Sequence, residues 1–138
     1  MKFNRRANAN WKGSGAEGKG VVTTQSGTLN NTQYSYKSRF EEGVGTNPEE
    51  LVAAAHCSCY AMKLSFLLGD AGFVPEDLQV DAKVTFEDGA ITESHLDLKA
   101  KVPGISEEVF QKVAADAKET CPISKSIKAV ISLTATLV

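Results

Sequence analysis

Apolar and polar positions alternate near the start of the chain. Ala7, Ala9 and Trp11 are interleaved with Asn8 and Asn10, the period-two signature of a half-buried strand. Lys12 to Gly20 holds four glycines and reads as a turn into a second strand over Val21 to Gln25. Ser26-Gly27 and Asn30-Asn31 mark further turns, and Tyr34 to Phe40 reads as a third strand with Arg39 near its end.

A helix start follows the loop from Glu41 to Thr46. Asn47 can cap, Pro48 suits the first helical position, and Glu50 falls where a capping box needs it. Glu49 is left free for another partner. The helix can run to about Leu68 and stop at Gly69 or Gly72. Its run LVAAAHCSCYAMKLSFLL is apolar around most of the circumference, so it is expected to be covered on several sides, a partner subunit supplying some of that cover.

The second half is more regular. Leu78, Val80, Ala82, Val84 and Phe86 share one face of a strand, Asp88-Gly89 supplies a hairpin turn, and Leu96, Leu98, Ala100 and Val102 line the returning strand. Ser106 can cap a second helix, with Glu107 and Glu108 in its first turn. Phe110, Val113, Ala117 and Cys121 recur on one face of it. Pro122 opens a short turn, and Ala129 to Leu137 forms the last strand with Ile131, Leu133, Ala135 and Leu137 inward. This order predicts an α+β fold with a largely antiparallel sheet rather than a βαβ chain. Gly13 to Gly18 nearly matches a phosphate-binding fingerprint but precedes a strand, so it lacks the required context.

A length of 138 residues suits a single domain over 1–138. Apolar residues at 42% and charged residues at 23% fit a soluble globular chain. A net charge of -2 argues against a nucleic-acid surface. No apolar run approaches the roughly 18 residues that a membrane span needs, so no membrane span is expected. The N-terminus has no apolar stretch behind its basic start, so no export signal is expected and the cytoplasm is the expected location. Three cysteines, an odd and low count, fit a reducing compartment better than a disulfide framework.

Those cysteines are the candidate chemistry. Cys57 and Cys59 lie two positions apart on the long helix, about 200° around its axis, so they face nearly opposite ways and do not share a bond or a metal. His56 is likewise expected to point away from Cys59 and to serve packing or a local hydrogen bond. His95 lies on the polar side of its strand and is expected to face solvent. Cys121 ends the second helix and can be exposed enough to meet another thiol. Cys59 and Cys121 are then either a redox pair or two packing cysteines. Arg39 and Glu49 flank one short loop. They read either as a surface salt bridge or as a guanidinium, oriented by a carboxylate, that holds a nearby thiolate.

The segments Arg39-Phe40-Glu41, Gly45-Thr46-Asn47-Pro48-Glu49-Glu50-Leu51, Ala54-Ala55-His56-Cys57-Ser58-Cys59 and Cys121-Pro122-Ile123-Ser124 resemble the OsmC/Ohr family, on its OsmC branch. The resemblance covers essentially the whole chain. It implies thiol-dependent reduction of hydroperoxides, organic ones commonly preferred, by an intertwined homodimer with long helices inside and sheets outside. It makes Cys59 the peroxidatic cysteine and Cys121 the resolving one. Arg39 becomes the thiolate-stabilising arginine and Glu49 its carboxylate partner. It requires no haem, flavin or metal, and points to an external dithiol, the lipoyl type included, as reductant. Cys57 and Tyr60 depart from the small residue and the phenylalanine common in the family, and the loop from Glu41 to Gly45 is shorter than in some relatives. The competing reading is a non-catalytic dimer that binds an apolar ligand or senses oxidation.

Overall fold

The structure, a computed structural model, describes all residues from 1 to 138. It divides into two compact units, Met1–Leu51 and Val52–Val138. In the first, β1 (Ala7–Lys12), β2 (Lys19–Thr24) and β3 (Thr32–Tyr34) form an antiparallel sheet in that order. The expected alternation of burial is not present in β1, whose six residues are all exposed.

The third strand, expected over 34–40, instead spans Thr32–Tyr34 and shares only Tyr34 with that expectation. Residues 36–40 form a helical turn, α1 (Tyr36–Phe40). The cause is a reciprocal box: Ser35 Oγ accepts from the Ser38 N–H at 3.2 Å, and Ser38 Oγ accepts from the Ser35 N–H at 2.8 Å. Two serines three apart thus convert the end of a strand into a helix start. Arg39 therefore sits on a helical turn.

The long helix α2 (Pro48–Asp70) begins as expected, with Asn47 Oδ1 accepting from the Glu50 N–H at 2.8 Å. The Glu50 carboxylate takes the Thr46 hydroxyl at 2.6 Å. At the far end Gly72 has φ +92°. Its N–H bonds the Gly69 carbonyl at 3.0 Å, and the Phe73 N–H bonds Leu68 at 2.8 Å. That pair of bonds is a Schellman cap, which needs the left-handed conformation glycine adopts without strain.

In the second unit β4 (Asp77–Glu87) and β5 (Ala90–Lys101) form the expected hairpin, with positive φ at Asp88 and Gly89. Helix α3 (Glu107–Thr120) and the short α4 (Pro122–Ser126) lead to β6 (Val130–Leu137). The sheet order is β4-β5-β6, and β6 lies parallel to β5. A parallel neighbour needs a crossover, which α3 and α4 supply, so this part of the chain is a βαβ unit after all.

One core joins Tyr60, Leu64 and Leu68 of α2 to Leu96 and Leu98 of β5 and Phe110 of α3, all fully buried. The rest of α2 is less covered than its composition suggests. Met62 is 65% and Phe66 67% exposed. An 18-residue window of α2 reaches a mean hydropathy of 1.5, so by length and composition this helix is apolar enough to cross a membrane. A search for an unbroken apolar run misses this, because Ser58, Lys63 and Ser65 interrupt the run without lowering its average far.

Candidate active site

Arg39 and Glu49 meet within the first unit. Arg39 Nε lies 3.1 and 3.2 Å from the two Glu49 oxygens, and Nη2 lies 2.8 Å from Oε1. This side-on geometry uses the rigid fork of the guanidinium, which a lysine cannot copy. The surrounding backbone is tied down. Ser38 Oγ donates to the Thr46 carbonyl at 2.8 Å, and Asn47 Nδ2 donates to the Ser38 carbonyl at 3.0 Å. Asn47 thus caps α2 and holds α1 with one side chain. Gly45, at φ +113°, lets the chain pass so close to β3 that a Cβ would strike the Gln33 carbonyl oxygen. An open cavity of about 400 Å³ lies beside Arg39, with Trp11, Tyr34, Tyr36 and Phe40 in its walls.

Cys59 and Cys121 meet within the second unit: Cys59 packs against the buried cluster that contains Cys121, and the Cys121 thiol acts on its ionisation. Cys59 is half-buried on α2, and the Ile123 N–H at the start of α4 also points to its sulfur. Cys121 is fully buried rather than exposed, because it continues the inward stripe of Phe110, Val113 and Ala117. All three cysteines are free thiols. Cys57 turns back along the helix, its thiol 3.4 Å from the Ala54 carbonyl.

A low thiol pKa is not what this arrangement gives. Burial pushes the Cys59 thiol up, and the Cys121 thiol adds to the rise by sharing its proton and by like charge. The Ile123 N–H and the Lys63 ammonium, one turn along α2, work in the opposite direction without overcoming it. Tyr60 is also pushed well above the ordinary phenol range, first by burial and then by Cys121, and its hydroxyl donates to the Ala114 carbonyl at 3.0 Å.

His56 departs most from expectation. Positions three apart share a helix face, so His56 lies on the same inward side as Cys59. It is fully buried, with Nδ1 2.6 Å from Ser94 Oγ on β5 and Nε2 2.8 Å from Ser124 Oγ on α4. Burial lowers its pKa, so it favours the neutral ring. His95 is also partnered, at 2.6 Å from Ser132 Oγ and 3.2 Å from Thr134 Oγ1. Sequence reasoning missed Ser94 and Ser124. The three-residue spacing of His56 and Cys59 was the available signal.

A family model described as "OsmC-like protein" matches residues 41–136. The chain is 42% identical over 137 residues to "Peroxiredoxin OsmC" of Escherichia coli, covering 96% of each chain. It is 32% identical over 100 residues to the "Organic hydroperoxide resistance protein" of Xanthomonas axonopodis, covering 69% of this chain and 68% of that one. Its fold is similar to the crystal structure of an OsmC-like protein from Mycoplasma pneumoniae, with a TM-score of 0.78 at 11% identity over 100% of this chain and 99% of that one. With this match across both units and these two cysteine motifs, the chain belongs to the OsmC family.

Proposed function

We propose that the chain is a cysteine-based peroxidase that reduces organic hydroperoxides, with Cys59 peroxidatic, Cys121 resolving, and Arg39 and Glu49 as the charged pair that activates the first step. The observation that supports this reading is that Cys59 packs against the buried core of the second unit that holds Cys121, near enough for the Cys121 thiol to act on its ionisation. Two cysteines far apart in sequence thus share one core, which suits disulfide formation between them.

The steps balance without a cofactor. The Cys59 thiolate attacks the distal oxygen of the hydroperoxide, the O–O bond breaks, and the alkoxide leaves as the alcohol after taking a proton. Cys59 becomes a sulfenic acid. The Cys121 sulfur then attacks the Cys59 sulfur. The S–O bond breaks, water leaves, and a disulfide remains for an external dithiol to reduce. Because burial raises the Cys59 pKa, the reaction needs an added positive charge. Arg39, steered by Glu49, is the group this reading assigns to that task and to the departing oxygen. The aromatic walls beside Arg39 suit the carbon skeleton of an organic hydroperoxide.

The proposal includes a homodimer and treats 1–138 as one functional domain. Exposed Met62 and Phe66 on an otherwise apolar helix support cover by a second copy. The alignment to a single relative over 96% of this chain supports the single domain. Three free thiols suit a reducing compartment such as the cytoplasm.

The test is intact mass and disulfide mapping after one equivalent of cumene hydroperoxide is added to the reduced protein. Loss of two hydrogens with Cys59 linked to Cys121 is the expected result. No oxidation would replace this cycle with the non-catalytic reading, and a bond to Cys57 would replace it with a differently wired redox protein.

A further inference from the structure

The Cys59–Cys121 pair is accompanied by a second pairing. His56 precedes Cys59 by three positions on α2, and Ser124 follows Cys121 by three positions at the α4 end. The two helix segments therefore present two pairs: Cys59 packed against the core that holds Cys121, and imidazole to hydroxyl at 2.8 Å. The other ring nitrogen is fixed by Ser94 at 2.6 Å. A neutral imidazole has one donor and one acceptor nitrogen, and each serine hydroxyl can serve as either, so both bonds can be satisfied together.

We propose that His56, held by Ser94, is a positioning residue for the redox pair: through Ser124 it fixes the turn that carries Cys121 and the Ile123 N–H against Cys59. This deepens the peroxidase reading and rests on its assignment of Cys59 and Cys121. The geometry favours the role for two reasons. α4 has only five residues, and its N-cap makes no side-chain hydrogen bond of its own, so side-chain support within the turn comes only from Ser126 Oγ donating to the Pro122 carbonyl at 2.8 Å. The bond to His56 also ties the Ser124 side chain of α4 directly to α2 at this point. In the resolving step the Cys121 sulfur forms the S–S bond while the Cys59 S–O bond breaks. The sulfenic hydroxyl leaves as water with the Cys121 proton. A fixed turn raises the effective concentration of one sulfur at the other.

The experiment equilibrates the full-length protein with dithiothreitol redox buffers and reads the Cys59–Cys121 disulfide by thiol alkylation and mass. Ser124→Ala is expected to weaken disulfide formation about tenfold, equivalent to about 30 mV. Ser124→Thr, which keeps the hydroxyl, is expected to restore it. Leu68→Ala, a core truncation away from the network, is expected to lower thermal stability without moving the equilibrium. This separates positioning from general loss of stability. An equilibrium unchanged in folded Ser124→Ala, or shifted equally by Leu68→Ala, overturns the proposal. The readout contains no peroxide. A wild-type protein that forms the disulfide but consumes no hydroperoxide therefore defeats the peroxidase reading and leaves the positioning role standing.

Discussion

Arg39 and Glu49 flank one loop, whereas two strands and a helix separate Cys59 from Cys121. The first pair is charged and in part open to solvent, with Arg39 38% and Glu49 17% exposed. The second consists of two thiols, and Cys121 is completely buried. Each environment suits the task assigned to it. A permanent guanidinium keeps its charge anywhere, but burying it would require desolvation. A resolving thiol benefits from shelter, because an enclosed sulfur meets its intended partner before outside thiols or oxidants. The same shelter raises the pKa of Cys59.

The largest effect that can break this comparison is expected for Cys59→Ser. A serine hydroxyl at this position has no accessible anion at neutral pH and a much weaker nucleophile, so peroxide consumption should fall at least about a thousandfold. Stopped-flow decay of cumene hydroperoxide measures it. Residual turnover near the wild-type rate would transfer the chemistry to another thiol.

Arg39→Lys comes next. It keeps the charge but loses the side-on clasp to Glu49, and about a hundredfold loss in kcat/KM is expected. The dithiothreitol equilibrium of the disulfide should stay where it is, because the charge is assigned to the ionised thiolate and the departing oxygen, and neither neutral thiols nor a disulfide carries that charge. A shift in that equilibrium with no loss of rate would reverse the division of labour.

The ease of reading these regions follows the same contrast. Helix α2 was legible because its start signals are local: Asn47, Pro48 and Glu50 stand together in the chain. So was the β4–β5 hairpin at Asp88-Gly89. The partnership of Arg39 and Glu49 was visible for the same reason. The helical turn at Tyr36–Phe40 was also written locally, in Ser35 and Ser38, but the apolar and aromatic residues around them read as strand. Strand direction was harder. Inward Ile131, Leu133, Ala135 and Leu137 give the same alternation whether β6 runs parallel or antiparallel to β5, and only the long helical connection hints at the parallel choice. The depth of Cys121 and the serines around His56 depend on contacts between distant segments, which periodicity does not encode.

Acid stability probes the buried side. His56 has a lowered pKa in the fold, while in the unfolded chain it titrates near 6.5. Below that pH the unfolded chain binds a proton that the fold excludes. Stability therefore falls as pH drops through 6.5 and on toward the folded value, at up to about 1.4 kcal/mol per pH unit. Cys59 acts in the opposite direction of pH. Its raised pKa means the unfolded thiol ionises first, so stability declines as pH rises through the ordinary thiol range. Urea midpoints from pH 7.5 to 5 should show a steeper acid slope in the wild type than in His56→Gln. Equal slopes would assign the acid limb to carboxylates.

The smallest expected effect tests whether burial or hydrogen bonding holds the residue next to Cys59. Tyr60 is completely buried, and its hydroxyl reaches the Ala114 carbonyl on α3. Tyr60→Phe removes that bond but keeps the ring in the core. The abandoned acceptor is a helix carbonyl, which the α-helical pattern also bonds to a residue four positions later, so it is not left without a partner. The loss should therefore stay near the usual net value of a hydrogen bond, about 1 kcal/mol, rather than the larger cost of an orphaned buried group. Thermal unfolding should show a drop of a few degrees with Cys59 reactivity retained. A loss of several kcal/mol would mean that the α2–α3 contact is organised by this hydroxyl, and that the buried region depends on a specific polar contact as strongly as the exposed region depends on its ion pair.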